Sequence, residues 1–181
     1  MTANEATELL DYWLSIGPKA WFSSSETVDS DIREKFAALH ARAARGELES
    51  WRENPESCLA LVILLDQISR NLYRGDRRAF AQDAVAREVA DYAVSRNFDQ
   101  LVDGNLAFFF YMPFMHGESL ADLDRCGRLI HAKGLQNVLR YVRLHREVIE
   151  RFGRYPHRNA LLGRHTTPAE AEFLDSGGFG G

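Results

Sequence analysis

The stretch Asn54-Pro55-Glu56-Ser57-Cys58-Leu59-Ala60-Leu61-Val62-Ile63-Leu64-Leu65-Asp66-Gln67-Ile68-Ser69-Arg70-Asn71 decides the fold. Asn54 has the side chain of a helix N-cap, Pro55 suits the first helical position, and Glu56 meets the positive end of the helix dipole. From Cys58 to Leu65 the run is apolar on every side, and a helix of that kind is buried all round. It is expected to be the central element, with Leu61, Leu64 and Leu65 almost fully buried. At Asp66 the helix turns abruptly polar. Asp66 and Arg70 stand four residues apart and can pair, and Gln67 and Asn71 repeat that spacing on the adjacent face. Buried polar groups must find partners, so this crown is either a network that locks the helix end or part of a binding site.

Helical periodicity continues on both sides of this element, and no strong alternating strand is found. A first helix is expected from about residue 3 to 16, with Thr2 and Glu5 at capping-box spacing and Gly17-Pro18 as its stop. A second is expected from about 31 to 45, and another helical region from about 77 to 96 with a break near Asp83. Leu106–Met115 is aromatic-rich and reads as helix in this company. Further helices are expected at about 119–131, 135–152 and 168–174, the last opened by a capping box at Thr167-Pro168-Ala169-Glu170. The fold class is therefore all-α: seven or eight antiparallel helices joined by short loops. Residues 1–174 are expected to form a single domain, followed by a flexible Gly-rich tail at 175–181.

The 181 residues are 45% hydrophobic and 27% charged, which excludes a disordered chain, a collagen-like chain and a small disulfide scaffold. A formal charge of −4 argues against general nucleic-acid binding. The longest uncharged stretch, Gly104 to Gly117, falls short of the roughly 20 residues a membrane helix needs. The first ten residues lack the basic and apolar regions of a secretory signal. Cys58 and Cys126 are read as reduced thiols, which points to the cytoplasm. Basic charge is carried by 19 Arg and only 3 Lys, and the ends differ: residues 1–31 hold six acids and one base, residues 140–164 seven arginines and two acids.

HExxH, GxSxG, GxxxxGK[ST] and a strand–helix GxGxxG are all absent. His116-Gly117-Glu118 resembles half of a zinc-deaminase signature, but its PCxxC partner is missing. Two other polar stretches stand out. Arg154-Tyr155-Pro156-His157-Arg158-Asn159-Ala160-Leu161-Leu162-Gly163-Arg164 packs three arginines, a histidine and an asparagine into eleven residues. At the end of the aromatic run, His116 and Glu118 place an imidazole beside a carboxylate, a pairing suited to proton transfer. With His157 they lack any metal-ligand spacing, and no metal is assigned. Arg70 to Gly75 and Arg158 to Gly163 share the pattern Arg-Asn-x-x-x-Gly, whose three matched positions are too few to establish an internal repeat.

Trp21-Phe22, Leu64-Leu65-Asp66-Gln67-x-x-Arg70-Asn71-x-x-Arg74-Gly75, Phe80-x-x-Asp83, Pro113-Phe114-Met115-His116-x-Glu118 and Phe152-Gly153-Arg154-x-Pro156-His157-Arg158-Asn159-x-x-Leu162-Gly163-Arg164 occur in that order. Together they resemble the bacterial family known as domain of unknown function 924, over nearly the whole chain. The resemblance implies an all-helical, tetratricopeptide-like arrangement of hairpins and no established activity. The chain departs from the family at Ile68-Ser69, where Phe-Pro is usual, and at Gly117-Glu118-Ser119, where Ser-Glu-Asp is usual. The second change removes an acid next to Glu118.

Two functions compete. In the first, the polar stretches converge on one pocket for a small anionic ligand, with catalysis an open question. Asp66, Gln67, Arg70, Asn71, Arg154, Arg158, Asn159 and Arg164 would bind the ligand, the arginines through forked hydrogen bonds. His116, Glu118 and His157 would be the catalytic candidates, and no cofactor is specified. In the second, the chain is a protein-interaction scaffold and the polar motifs are structural.

Overall fold

The computed structural model describes residues 2–178, with side chains from Glu5 onward, and among these residues every regular element is helical. The Thr2 side chain, proposed as a cap, and the end of the Gly-rich tail, residues 179–181, lie outside what is described. Among the described residues nine α-helices are joined by loops, several of them holding a short 3₁₀ turn, and α3 runs into α4 through a π turn. By their contacts they fall into two units, residues 1–113 and 114–181.

The first unit is built on the helix that the sequence singles out. Asn54 caps α3 (Pro55–Ile63), its side chain accepting from the backbone N–H groups of Glu56 and Ser57. Leu61, Leu64 and Leu65 are 2%, 0% and 1% exposed. The helix then widens into a π turn, Leu64–Ile68, before α4 (Ser69–Leu72). A π turn displaces carbonyls from their usual partners. The Ser69 hydroxyl takes the Leu65 carbonyl at 2.6 Å, and Arg70 takes that of Asp66 at 2.7 Å. Around this axis, α1 (Thr2–Trp21) and α5 (Asp83–Ser95) pack on α3, while α2 (Glu26–Ala44) packs on the π turn and α4.

Two expected boundaries are corrected. Gly17-Pro18 kinks α1 rather than ending it: Gly17 adopts a left-handed φ of 70°, and Pro18 starts a further turn to Trp21. Helix α2 begins five residues earlier than expected, because Ser25 caps it through Val28 N–H. Aromatic α6 (Gly104–His116) is a helix as expected, and the chain passes from the first unit to the second within it, after Pro113.

In the second unit α7 (Leu120–Ala132) pairs with α8 (Leu139–Phe152). Val142, His145 and Ile149 form the buried stripe of α8, and Gly153 ends the helix with a left-handed φ of 70°. A loop containing the 3₁₀ turn Pro156–Arg158 leads to α9 (Pro168–Asp175), where the capping box is present. Both cysteines are buried, and neither is in a disulfide. Among the described residues no helix is long and apolar enough to cross a membrane.

Candidate functional site

The candidate residues divide between the units. In the first, the π turn and α4 turn their polar side chains into a lattice of carboxylates and arginines. Arg70 reaches Asp66 Oδ1 at 3.2 Å and Asp83 Oδ2 at 3.1 Å, with its guanidinium near the Phe80 ring. Gln67 donates to Asp66 Oδ2. Asn71 donates to Asp29 Oδ1 at 2.8 Å, and Arg74 grips the same carboxylate through Nε at 2.6 Å and Nη2 at 3.0 Å. Burial pushes the Asp29 carboxyl upward, but the hydrogen bonds from Arg74 and Asn71 and the nearby arginine charges outweigh it and hold it below the usual carboxylate range. The expected Asp66–Arg70 pair is therefore present, and Arg70 and Asn71 both have protein carboxylates as partners.

In the second unit two of the predicted stretches meet. The Tyr155 N–H and Arg164 Nη1 both donate to Glu118 Oε1, at 2.8 and 2.7 Å. The Tyr155 hydroxyl donates to the Met115 carbonyl at 2.7 Å, so the loop after α8 is fastened to the end of α6 at three points. Glu118 responds to opposing pulls. Burial raises its pKa, but Arg164, the Tyr155 amide and the charge of Arg158 prevail, and the carboxyl is held below its ordinary range. It is an ionised anchor rather than a proton donor.

The Tyr155 ring is the hub of the basic groups. His157 stacks on it at 5.7 Å between centroids, His145 meets it edge-on at 5.6 Å, and the Arg158 guanidinium lies 4.7 Å from its centre. Cations favour the face of an aromatic ring, and the contact offsets part of the cost of burying Arg158, which is 7% exposed. His116 and His157 are half-buried and so remain open to solvent. His145 is pushed down to about 4, first by burial and then by the neighbouring His116, Arg158 and His157; its contact with Tyr141 pulls the other way. Its Nδ1 lies 2.7 Å from the Tyr141 carbonyl, which can only accept, so the neutral ring carries its proton there.

Arg154, a candidate ligand contact, is bound within the protein. Its Nε and Nη2 form a fork on Glu170 at 2.6 and 2.8 Å, and Nη2 also donates to the His165 carbonyl at 2.7 Å. The Arg154 fork, with help from Thr167 and Asn159 against the effect of burial, holds Glu170 far below the usual carboxylate range. Asn159 is fully buried and directs Nδ2 to Thr166 Oγ1 at 3.4 Å and its carboxamide to Glu170.

Sequence reasoning left Tyr155 and His145 out of the candidate set. Tyr155 sat in plain view inside the Arg-rich stretch. The signal for His145 was a histidine on the apolar stripe of α8, three residues after Val142 and four before Ile149. Asp29, the partner of Asn71 and Arg74, carries no local signal at all, since it lies 42 residues away in sequence. Among the described residues no group of three or more His, Cys, Asp and Glu could hold a metal ion.

No curated protein matches the chain. A solved structure of a protein of unknown function from Agrobacterium tumefaciens is 42% identical, with a TM-score of 0.93 over 97% of this chain and 99% of that one. The model of a bacterial family of unknown function, DUF924, matches residues 9–178. That match takes in the Asp66–Gly75 lattice, the His116–Glu118 turn and the Arg154–Arg164 loop alike, and the chain belongs to this family.

Proposed function

We propose that the second unit binds a small anionic ligand at the basic cluster around Tyr155. Arg158 supplies the charge and the fork, and His116 and His157 flank it where solvent reaches. Arg154 and Arg164 set the loop rather than the ligand, through Glu170 and Glu118. The observation that carries the reading is the gathering of His145, His157 and a buried guanidinium on one ring, with His116 near enough to lower His145. The charge of the unit agrees. Residues 114–181 hold ten arginines and lysines against eight acids, and five of the six histidines, whereas residues 1–113 hold twelve against eighteen. In such a site any proton transfer would fall to His116 or His157, because Glu118 is committed as an ionised anchor. The Asp66–Arg74 lattice is read as structural. The reading keeps a cytoplasmic location and assigns neither nucleic acid nor membrane as partner.

The test is a titration of the full chain with acetate, followed by amide NMR. Saturable shifts at Tyr155 and His157 are expected. Arg158→Lys keeps the charge and loses the fork, so it should weaken binding at least about tenfold with an unchanged circular dichroism spectrum. Shifts that grow linearly without saturation would contradict the site.

A further inference from the structure

The hairpin of α7 and α8 carries a charge imbalance that the cluster around Tyr155 does not use. Residues 125–146 hold five arginines and one lysine, and no Asp or Glu. The two helices run antiparallel, in a register that two contacts fix. A Cβ on Gly127 would lie 3.7 Å from Val142 Cγ1, and Arg146 Nε reaches Asp124 Oδ1 at 2.9 Å. Successive residues turn about 100° around a helix, in opposite senses in an antiparallel pair. Arg128 and Arg143, each one step past the Gly127–Val142 contact, therefore come out on the same face. Both are exposed, and neither makes a hydrogen bond, an ion pair or a ring contact among the described residues. Glu147, four residues after Arg143, is exposed and does not pair with it. Farther from the loop the charge is cancelled, since Arg146 pairs with both Asp124 and Glu150. On the outer side of α8 the Arg140 guanidinium lies 4.6 Å from the centre of the Tyr141 ring, and Tyr141 and Leu144 are 40% and 43% exposed. The loop end of the hairpin thus presents two bare guanidinium groups beside an exposed apolar pair.

We propose that this end of the hairpin docks a short acidic segment of a partner protein, which sets carboxylates on Arg128 and Arg143 and lays an apolar side chain on Tyr141 and Leu144. An exposed arginine with no internal partner takes a carboxylate in its fork without first breaking an ion pair. The apolar pair supplies contact that charge alone lacks, and Tyr and Arg are the side chains enriched where proteins meet. Other polyanions fit less well. A nucleic-acid backbone or an anionic bilayer spreads negative charge over a wide surface, and would meet Glu147, Asp124 and Glu150 within two helical turns of the arginines. A short segment can place its carboxylates on the arginines alone. The surface shares no residue with the cluster around Tyr155 and does not depend on that reading.

The experiment titrates the intact chain with capped synthetic peptides and follows the backbone amides by NMR. Acetyl-Glu-Glu-Leu-Glu-Glu-Leu-amide should give saturable shifts at residues 128 and 140–144, with an affinity that falls as salt rises. Serine in place of both leucines should weaken binding about tenfold, the worth of one buried apolar side chain. Lysine in place of the glutamates should abolish it. In the protein, Arg128→Glu and Arg143→Glu should each weaken the leucine peptide at least about tenfold. Their circular dichroism spectra should match wild type, because both positions are exposed and unpartnered. Leu144→Ser should bring the leucine peptide down to the affinity of the serine peptide. Failure of the leucine peptide to saturate at millimolar concentration overturns the docking surface. Equal binding of the serine peptide overturns the apolar contact, and with it the choice of a protein segment. Tighter binding of oligothymidylate or of phosphatidylserine vesicles at the same residues overturns that choice as well.

Discussion

Residues 70–75 and 158–163 share the pattern Arg-Asn-x-x-x-Gly, and both end on a left-handed glycine, with φ of 77° at Gly75 and 65° at Gly163. Their surroundings make them different devices. Arg70 lies between Asp66 and Asp83, and Asn71 donates to the carboxylate that Arg74 also grips. Arg158 instead lies on the Tyr155 ring in company with histidines, and Asn159 keeps an acceptor unfilled. A guanidinium between two carboxylates is a fastening. The same group set on an aromatic ring among histidines is the one to which the proposed anion is assigned. Residue type and spacing alone do not separate the two, because the separating partners, Asp29, Asp83, Tyr155 and His145, come from other elements.

The largest effect should come from the helix beneath the first of these regions. Leu61→Ala opens a cavity in α3, and should cost about 2–5 kcal/mol by chemical denaturation. A midpoint within error of wild type would show that α3 is not the frame on which the Asp66–Arg74 lattice hangs.

The next effect separates the regions by pH. His145 is buried, and its folded pKa, about 4, lies below the ordinary 6.5. The unfolded chain therefore binds the extra proton first. The contribution of His145 is fully present above pH 6.5, declines as pH falls toward 4, and amounts to about 3 kcal/mol when complete. His40 in the first unit is also lowered by burial and adds to the same slope. Replacing His145 with Gln should flatten the stability profile between pH 6.5 and 4, and His40→Gln should remove a separate share. A profile unchanged by His145→Gln would contradict the buried neutral imidazole.

Asp29→Ala should cost about 1–3 kcal/mol, because it strands Asn71 and Arg74. It should leave acetate binding as in wild type. Loss of binding in this variant would erase the distinction between fastening and site. The smallest effect belongs to the backbone. Gly153 has φ of 70° with open space where a Cβ would sit, so Gly153→Ala carries strain alone, about 1 kcal/mol.

Much of the fold was legible in the sequence because its signals are local. Asn54-Pro55-Glu56 and Thr167-Pro168-Ala169-Glu170 start helices as their side chains dictate, and the apolar run of α3 is buried as its composition requires. The π turn was not legible, since it depends on which carbonyls Ser69 and Arg70 reach. The kink at Gly17 was read as a stop because a left-handed glycine before proline signals a break without saying whether helix resumes. In the site, the Arg–carboxylate pairing of Asp66 and Arg70 followed from i,i+4 spacing. The Arg154–Glu170 fork did not, since it joins a loop to a capping residue 16 positions away.

The central claim is that the two Arg-Asn regions differ in kind, and an amide NMR map of acetate binding to the intact wild-type chain tests it most directly. Saturable shifts should cluster at residues 116–118 and 154–166 and spare residues 66–75. Shifts that centre on residues 66–75, or that saturate nowhere, would contradict it.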